Sequence, residues 1–158
     1  MSTAPAPAPL PLSQRKYDYF FIVMFSLFAS TSFMWDSIMG LGLDISPNAT
    51  YGLAKILYTH YAAPIDPLVA VNPLWLQTMC FISAFVWGPF YLVLVYAFIQ
   101  GKNWIRLPAL MYGAALTYGM VVVFVEEFYG AVPPTHAGLF LAFNLPYKIM
   151  PVLLLIRM

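Results

Sequence analysis

The sequence predicts an all-α integral membrane protein, a small four-helix bundle with a short interfacial helix in its first loop. Three observations predict it. Of 158 residues, 62% are hydrophobic and only 8% are charged, a balance that no soluble domain of this size can cover with polar surface. Four apolar runs each approach the ~20 residues that a ~30 Å hydrocarbon core requires. Lipid offers no partner for free backbone N–H and C=O groups, so helices, which satisfy their own, are the expected solution.

Taken in order, MSTAPAPAPLPLS is rich in Pro and Ala, has no basic segment, and precedes the first apolar run, so residues 1–14 read as a disordered tail ahead of a domain spanning 15–158. The first run extends from Tyr19 to Leu43. In the loop from Asp44 to Pro73, Ser46 and Pro47 form an N-cap and N1 pair. Tyr51, Ala54, Ile56, Leu57, Tyr58 and Tyr61 would then line the apolar side of a helix that lids the bundle. Asn48-Ala49-Thr50 matches a glycosylation sequon. The remaining spans are Trp75 to Ile99, Leu107 to Val125, and Ala137 to Ile156, with Pro89, Pro146 and Pro151 as kinks that neighbouring helices tolerate. Trp75 and Trp104, at span ends, read as interfacial belt residues. The single cysteine, Cys80, excludes an intramolecular disulfide.

Charge placement sets an expected orientation. Arg15, Lys16, Lys102, Arg106 and Arg157 fall on one side of a four-span topology and only Lys55 on the other, which puts both termini in the cytoplasm. The expected membrane is the endoplasmic reticulum in a eukaryote or the inner membrane in a bacterium. A net charge of +1 gives no footprint for nucleic acid. No Gly-rich phosphate loop, metal-spaced His/Cys cluster or nucleophile elbow is present, so no cofactor or metal is expected.

Asp36 is the strongest functional candidate, because an ionisable side chain inside a membrane span is kept only where it meets a cavity or a partner. Ser32 lies one turn earlier on its face, with Trp35 beside it. On the second span Gln77, Cys80, Ser83, Trp87 and Tyr91 recur at helical spacing. On the third Gly113, Thr117, Met120, Phe124 and Glu127 do so. Routine helix packing through small and weakly polar residues explains most of these positions but not a buried carboxyl. Glu126 and Glu127 stand at the end of their span, where solvation at the interface is the simpler reading. Lys148 lies near the middle of the fourth run, so it must pair with a carboxylate, with Asp36 and Glu127 the candidates, or lose its proton.

Several segments carry a family resemblance: Ile65-DPLVAVNPLW-Trp75, Trp87-GP-Pro89, Tyr96-AFIQGKNWIRLPALMY-Tyr112 and Leu145-PYKIMPVLLLI-Ile156. They resemble the EXPERA family. The Asp-Pro-Leu stretch and Tyr-Ala-Phe…Trp-Ile-Arg look most like its sigma-2 receptor branch, and Trp-Gly-Pro is similar to its sterol-isomerase branch. The resemblance implies a four-helix fold with an intramembrane cavity for sterols and cationic amphiphiles, and frequent homodimers. It implies that Asp36 matches an acid that faces a ligand amine, that Asp66 matches a supporting loop acid, and that Tyr147 matches a pocket tyrosine. The second-helix acids of the two branches align with Ser83 and Cys80, and the isomerase's first-helix histidine with Ser32. Lys148 has no counterpart in either branch.

Two readings follow. In the first, the protein binds a sterol, terpenoid or similar membrane lipid, with Asp36, Asp66, Trp35, Ser83, Trp87, Tyr112, Met120, Tyr147 and Lys148 around it. In the second, it is a cofactor-free isomerase or cyclase in which a protonated Asp36 donates to a double bond, aromatic π faces stabilise the cation, and Glu127 handles the returning proton. Asp36 and Asp66 are expected to share a hydrogen bond, and Trp35, Trp87, Tyr112 and Tyr147 to ring the acid.

Overall fold

The structure is a computed structural model that describes residues 10–158. Residues 1–9 of the expected tail lie outside the described residues, and Leu12–Gln14 form a single 3-10 turn. Four helices are long and apolar enough to cross a membrane: α1 (Lys16–Gly40), α4 (Leu74–Gln100), α5 (Arg106–Tyr129, after a 3-10 turn at Asn103–Ile105) and α6 (Ala137–Arg157). Two short helices lie in the first loop, α2 (Gly52–Leu57), which runs on as one π-helical turn at Tyr58–Ala62, and α3 (Pro67–Val71).

The helices associate as two pairs, α1 with α4 and α5 with α6. Apolar burial is no driving force between helices in lipid, so these pairs depend on close packing. At Gly40 the backbones meet: a Cβ there would stand 2.6 Å from Cα of Phe81, so only glycine allows the end of α1 to cross α4. Pro146 and Pro151 lie inside α6, as a membrane helix allows.

Two buried clusters divide the interior. Near the end that holds the start of α1 and the finish of α6, here the basal end, Phe21, Phe25, Phe28, Tyr91, Leu94, Phe98, Tyr112, Met150 and Leu154 pack together. At the opposite, loop end, Ile38, Met39 and Leu76 pack against Ala54, Leu57, Leu68 and Val69 of the loop helices.

A buried charge ties the basal end. Asp18, 1% exposed, accepts hydrogen bonds from Arg15 and, at 3.0 Å, from Nη2 of Arg157. The same Arg15 donates to the carbonyls of Phe98 (2.7 Å) and Ile99 (3.0 Å), where α4 leaves its last acceptors unpaired. Gly101, at φ 62°, ends α4 in the left-handed conformation, and the Lys102 amide returns to the Ala97 carbonyl at 2.9 Å. One carboxyl and two guanidiniums thus hold α1, α4 and α6 in register.

The loop departs from expectation in detail. Ser46 and Pro47 do not start the helix: the Ser46 hydroxyl donates to Asp44 and accepts from the Asn48 amide, which closes a tight turn before Gly52. On α2 and its π turn, Ala54, Leu57 and Ala62 are buried and Tyr58 and Tyr61 half-buried, whereas Tyr51 and Ile56 are exposed. The second helix, α3, was not foreseen, although Asp66-Pro67 supplies its N-cap and N1 positions. Asn72, at φ 44°, stops it, and its side-chain amide donates to the Met39 carbonyl at 2.9 Å, joining loop to α1. Trp104 is exposed at a span end and Trp75 is half-buried against the loop cluster.

Candidate ligand site and a buried carboxyl pair

Both α1 and α4 slip into π-helical register part-way along, at Ser32–Asp36 and Ser83–Trp87, and the two turns face each other. The Ser37 amide bonds the Ser32 carbonyl and the Gly88 amide bonds the Ser83 carbonyl, five residues back in each case. In α4 the cause is local: Pro89 has no N–H for the carbonyl four residues earlier, so the wider turn takes up the mismatch. Such turns concentrate at functional sites.

Asp36 lies between the two turns. Ser83 donates its hydroxyl to Oδ2 of Asp36 at 2.6 Å. Ser32 Oγ lies 3.2 Å from Ser83 Oγ, and because the Ser83 proton is committed to Asp36, Ser32 is the donor in that second bond. The acid is therefore held by a two-step hydroxyl relay, with no cationic partner among the described residues. Asp36, Ser83, Trp87 and Tyr147 each keep part of their surface accessible. Tyr147 comes from α6, its hydroxyl bonded to that of Thr31 and its ring stacked on Phe28 at 4.1 Å. Trp87 meets Tyr112 edge to face at 5.3 Å. Trp87, Tyr112 and Tyr147 all belong to the basal cluster or pack on it, on the basal side of Asp36. Trp35 packs instead with the loop cluster, and Met120 is buried on α5.

The expected hydrogen bond between Asp36 and Asp66 is not made. Asp66 sits at the N-cap of α3, and that helix separates it from the start of α4, where a direct approach to Asp36 had been expected. Its carboxyl faces the Tyr61 hydroxyl, the amides of Leu68 and Val69, and the carboxyl of Glu127. Glu127 is only 2% exposed and not solvated at an interface, because the loop covers it. Oδ1 of Asp66 and Oε2 of Glu127 are both buried without a donor from any other described group, an arrangement that a proton shared between the two acids would relieve. Burial raises the Asp66 carboxyl above the usual aspartate range, against the lowering effect of Tyr61 and the backbone amides. The Tyr61 hydroxyl accepts from Nδ2 of Asn144 at 2.8 Å, which brings α6 to the same cluster, and burial pushes that hydroxyl up as well.

Lys148 pairs with neither Asp36 nor Glu127. Its ammonium stands 4.5 Å from the centroid of Phe124, and the side chain lines a cleft on the α5–α6 face. A second cleft, at the basal end, is lined by Gln14, Arg15, Lys16, Tyr17, Asp18 and Arg157. Among the described residues no cluster of His, Cys, Asp and Glu is placed to hold a metal ion.

A profile of the EXPERA family, the EXPanded EBP superfamily, matches residues 52–158. The chain belongs to this family. Its similarity to the sigma intracellular receptor 2 of Xenopus tropicalis is 31% identity over 103 residues, 59% of this chain and 60% of that protein. No solved structure matches. The EXPERA match takes in α2 to α6, with Asp66, Ser83, Trp87, Tyr112, Glu127 and Tyr147, and leaves α1 and Asp36 outside it.

Residues that the sequence reading passed over join the site through hydrogen bonds alone. Thr31 sits one position before Ser32, and Asn144 one turn before Lys148, where an amide inside a span is itself a signal.

Proposed function

We propose that this EXPERA-family protein binds a sterol, terpenoid or other lipid-like molecule between its two helix pairs, with Asp36 as the polar anchor. The observation that carries the reading is the isolation of Asp36. A carboxyl within a membrane span, held by the hydroxyls of Ser83 and Ser32 and facing no cation, offers its remaining oxygen lone pairs to a molecule that enters from the bilayer. Trp87 and Tyr147 supply apolar surface for a ring system on its basal side, with the buried Tyr112 packed behind Trp87. Charge asymmetry supports cytoplasmic termini.

A second reading, isomerisation of a sterol or polyene, is favoured by one observation: two carboxyls, those of Asp66 and Glu127, are buried together at a second place in the bundle. Asp36 would donate to the double bond and Glu127 would take part in removing the proton after migration.

Mass spectrometry of lipid that co-purifies with the protein, before and after incubation with candidate sterols, tests both. Binding predicts an unchanged ligand that is enriched on the wild type and lost from Asp36→Asn. Isomerisation predicts a product of identical mass and altered retention time. Equal lipid recovery from wild type and Asp36→Asn would remove Asp36 as the anchor.

A further inference from the structure

Lys148 is a cation without an anion. It is the twelfth residue of α6 and so begins roughly 16 Å from the loop end of that helix at 1.5 Å per residue. Helical side chains lean toward their own N-terminus, which for α6 is the loop end, so Lys148 reaches up along α5. Its ammonium comes to rest over Phe124, five residues before the last residue of α5, which leaves it about 8 Å short of that helix end. No carboxylate among the described residues lies within ion-pair distance. The Phe124 ring offsets part of the cost of an ammonium at this depth, but it is no counter-ion.

Around the ammonium the surface forms a shallow, open cleft. Val121, Phe124, Val125, Phe128 and Tyr129 recur along one side of α5, and with Lys148 they line a cleft of about 400 Å³. That size lies at the small end of ligand sites and suits one extended chain better than two. An open apolar cleft with one half-buried cation along it is complementary to an apolar chain that ends in an anion.

We infer that the α5–α6 cleft binds a single-chain amphiphile bearing a carboxylate, with the carboxylate on Lys148 and the alkyl chain along Phe124, Phe128 and Val121. The site is separate from Asp36 and does not depend on the proposed sterol site. A fatty acid that has given its proton to water at the interface can bring its slim carboxylate down to the ammonium and complete the ion pair there, whereas a two-chain phospholipid must bring a bulky headgroup below the interface.

The test is electron paramagnetic resonance of the protein in phosphatidylcholine nanodiscs, with spin-labelled stearic acid and its methyl ester as probes under conditions where the acid is ionised. The wild type should restrict the acid about fivefold more than the ester, the selectivity of a partly exposed ion pair. Lys148→Arg should keep that preference and Lys148→Met should abolish it. Met removes a charge from a span, so insertion is not put at risk. Asp36→Asn should leave the preference unchanged, which separates this site from the proposed lipid anchor. Equal restriction of both probes by the wild type, or a preference that survives in Lys148→Met, would overturn the inference. So would stronger restriction of spin-labelled phosphatidic acid than of stearic acid, which would assign the cleft to a phospholipid.

Discussion

The carboxyl of Glu127 on α5 is buried against that of Asp66 in the first loop, so that a pair of acids fastens the loop to the bundle. This contact is favourable only while one proton remains in it. Asp66 titrates higher in the folded protein than in the unfolded chain, so the native state holds the proton more tightly. The contribution is fully present below the ordinary aspartate value of 3.8 and is lost as pH rises through the elevated folded value. The thermal midpoint should therefore fall as pH is raised from about 4 toward neutrality and beyond, since stability follows the difference in bound protons. Asp66→Asn should flatten the profile, because the amide donates to Glu127 without titrating. A profile unchanged in Asp66→Asn would mean that the two carboxyls do not share the proton.

Asp18 makes a different use of burial. Its partners are unequal, Arg15 nearly covered and Arg157 44% exposed. Removing the shared acid in Asp18→Ala strands the Arg15 guanidinium, a loss of about 3 kcal/mol. Removing the exposed partner in Arg157→Leu should cost less than about 1 kcal/mol. Denaturant titration in detergent measures both. Similar losses from the two substitutions would show that Arg157, and not Arg15, carries the connection.

Ser83 is the direct donor to Asp36, and Ser32 stands one step behind it. Ser83→Ala should lower stability by about 1.5 kcal/mol and Ser32→Ala by less, as hydrogen bonds to an ionisable group exceed those between hydroxyls. Lipid recovery should follow the same order, because loss of the nearer donor frees the carboxyl to turn. If Ser32→Ala proved the more damaging, the relay would run the other way.

The spans could be read from hydropathy because length and apolarity alone decide whether a helix can cross lipid. Asp36 was legible for the same reason, as a carboxyl where burial is costly. That it meets two serines and not Asp66 was not, since the intervening α3 turns on the conformation of Asn72, an angle that composition does not encode. Glu126 and Glu127 are neighbours in sequence, and only the rotation of α5 about its axis decides which one the loop covers. Asp18 stands in a first helical turn, where an acid ordinarily complements the helix dipole, and only the fold brings Arg157 to it from the other end of the chain. Lys148 was expected to pair with Asp36 or Glu127 or to lose its proton, and it pairs with neither acid. Its answer in this structure, an aromatic face reached by leaning along the helix, depends on the direction of α6 and the phase of α5.

A π turn holds one residue more than the α-helix around it, so everything beyond it is rotated by about 100° relative to an uninterrupted helix. In α1 that joint separates the residues that pack at the basal end from Ile38 and Met39, which serve the loop end. The helix is thus two segments out of phase, and Asp36 is the last residue of the splice. Deleting one residue between Ser32 and Asp36 would leave the span long enough and apolar enough to cross a membrane, yet turn its far end away from α4. Hydropathy cannot register such a change, and a gapless alignment of α1 against an unspliced helix would pair every residue beyond the joint with the wrong face.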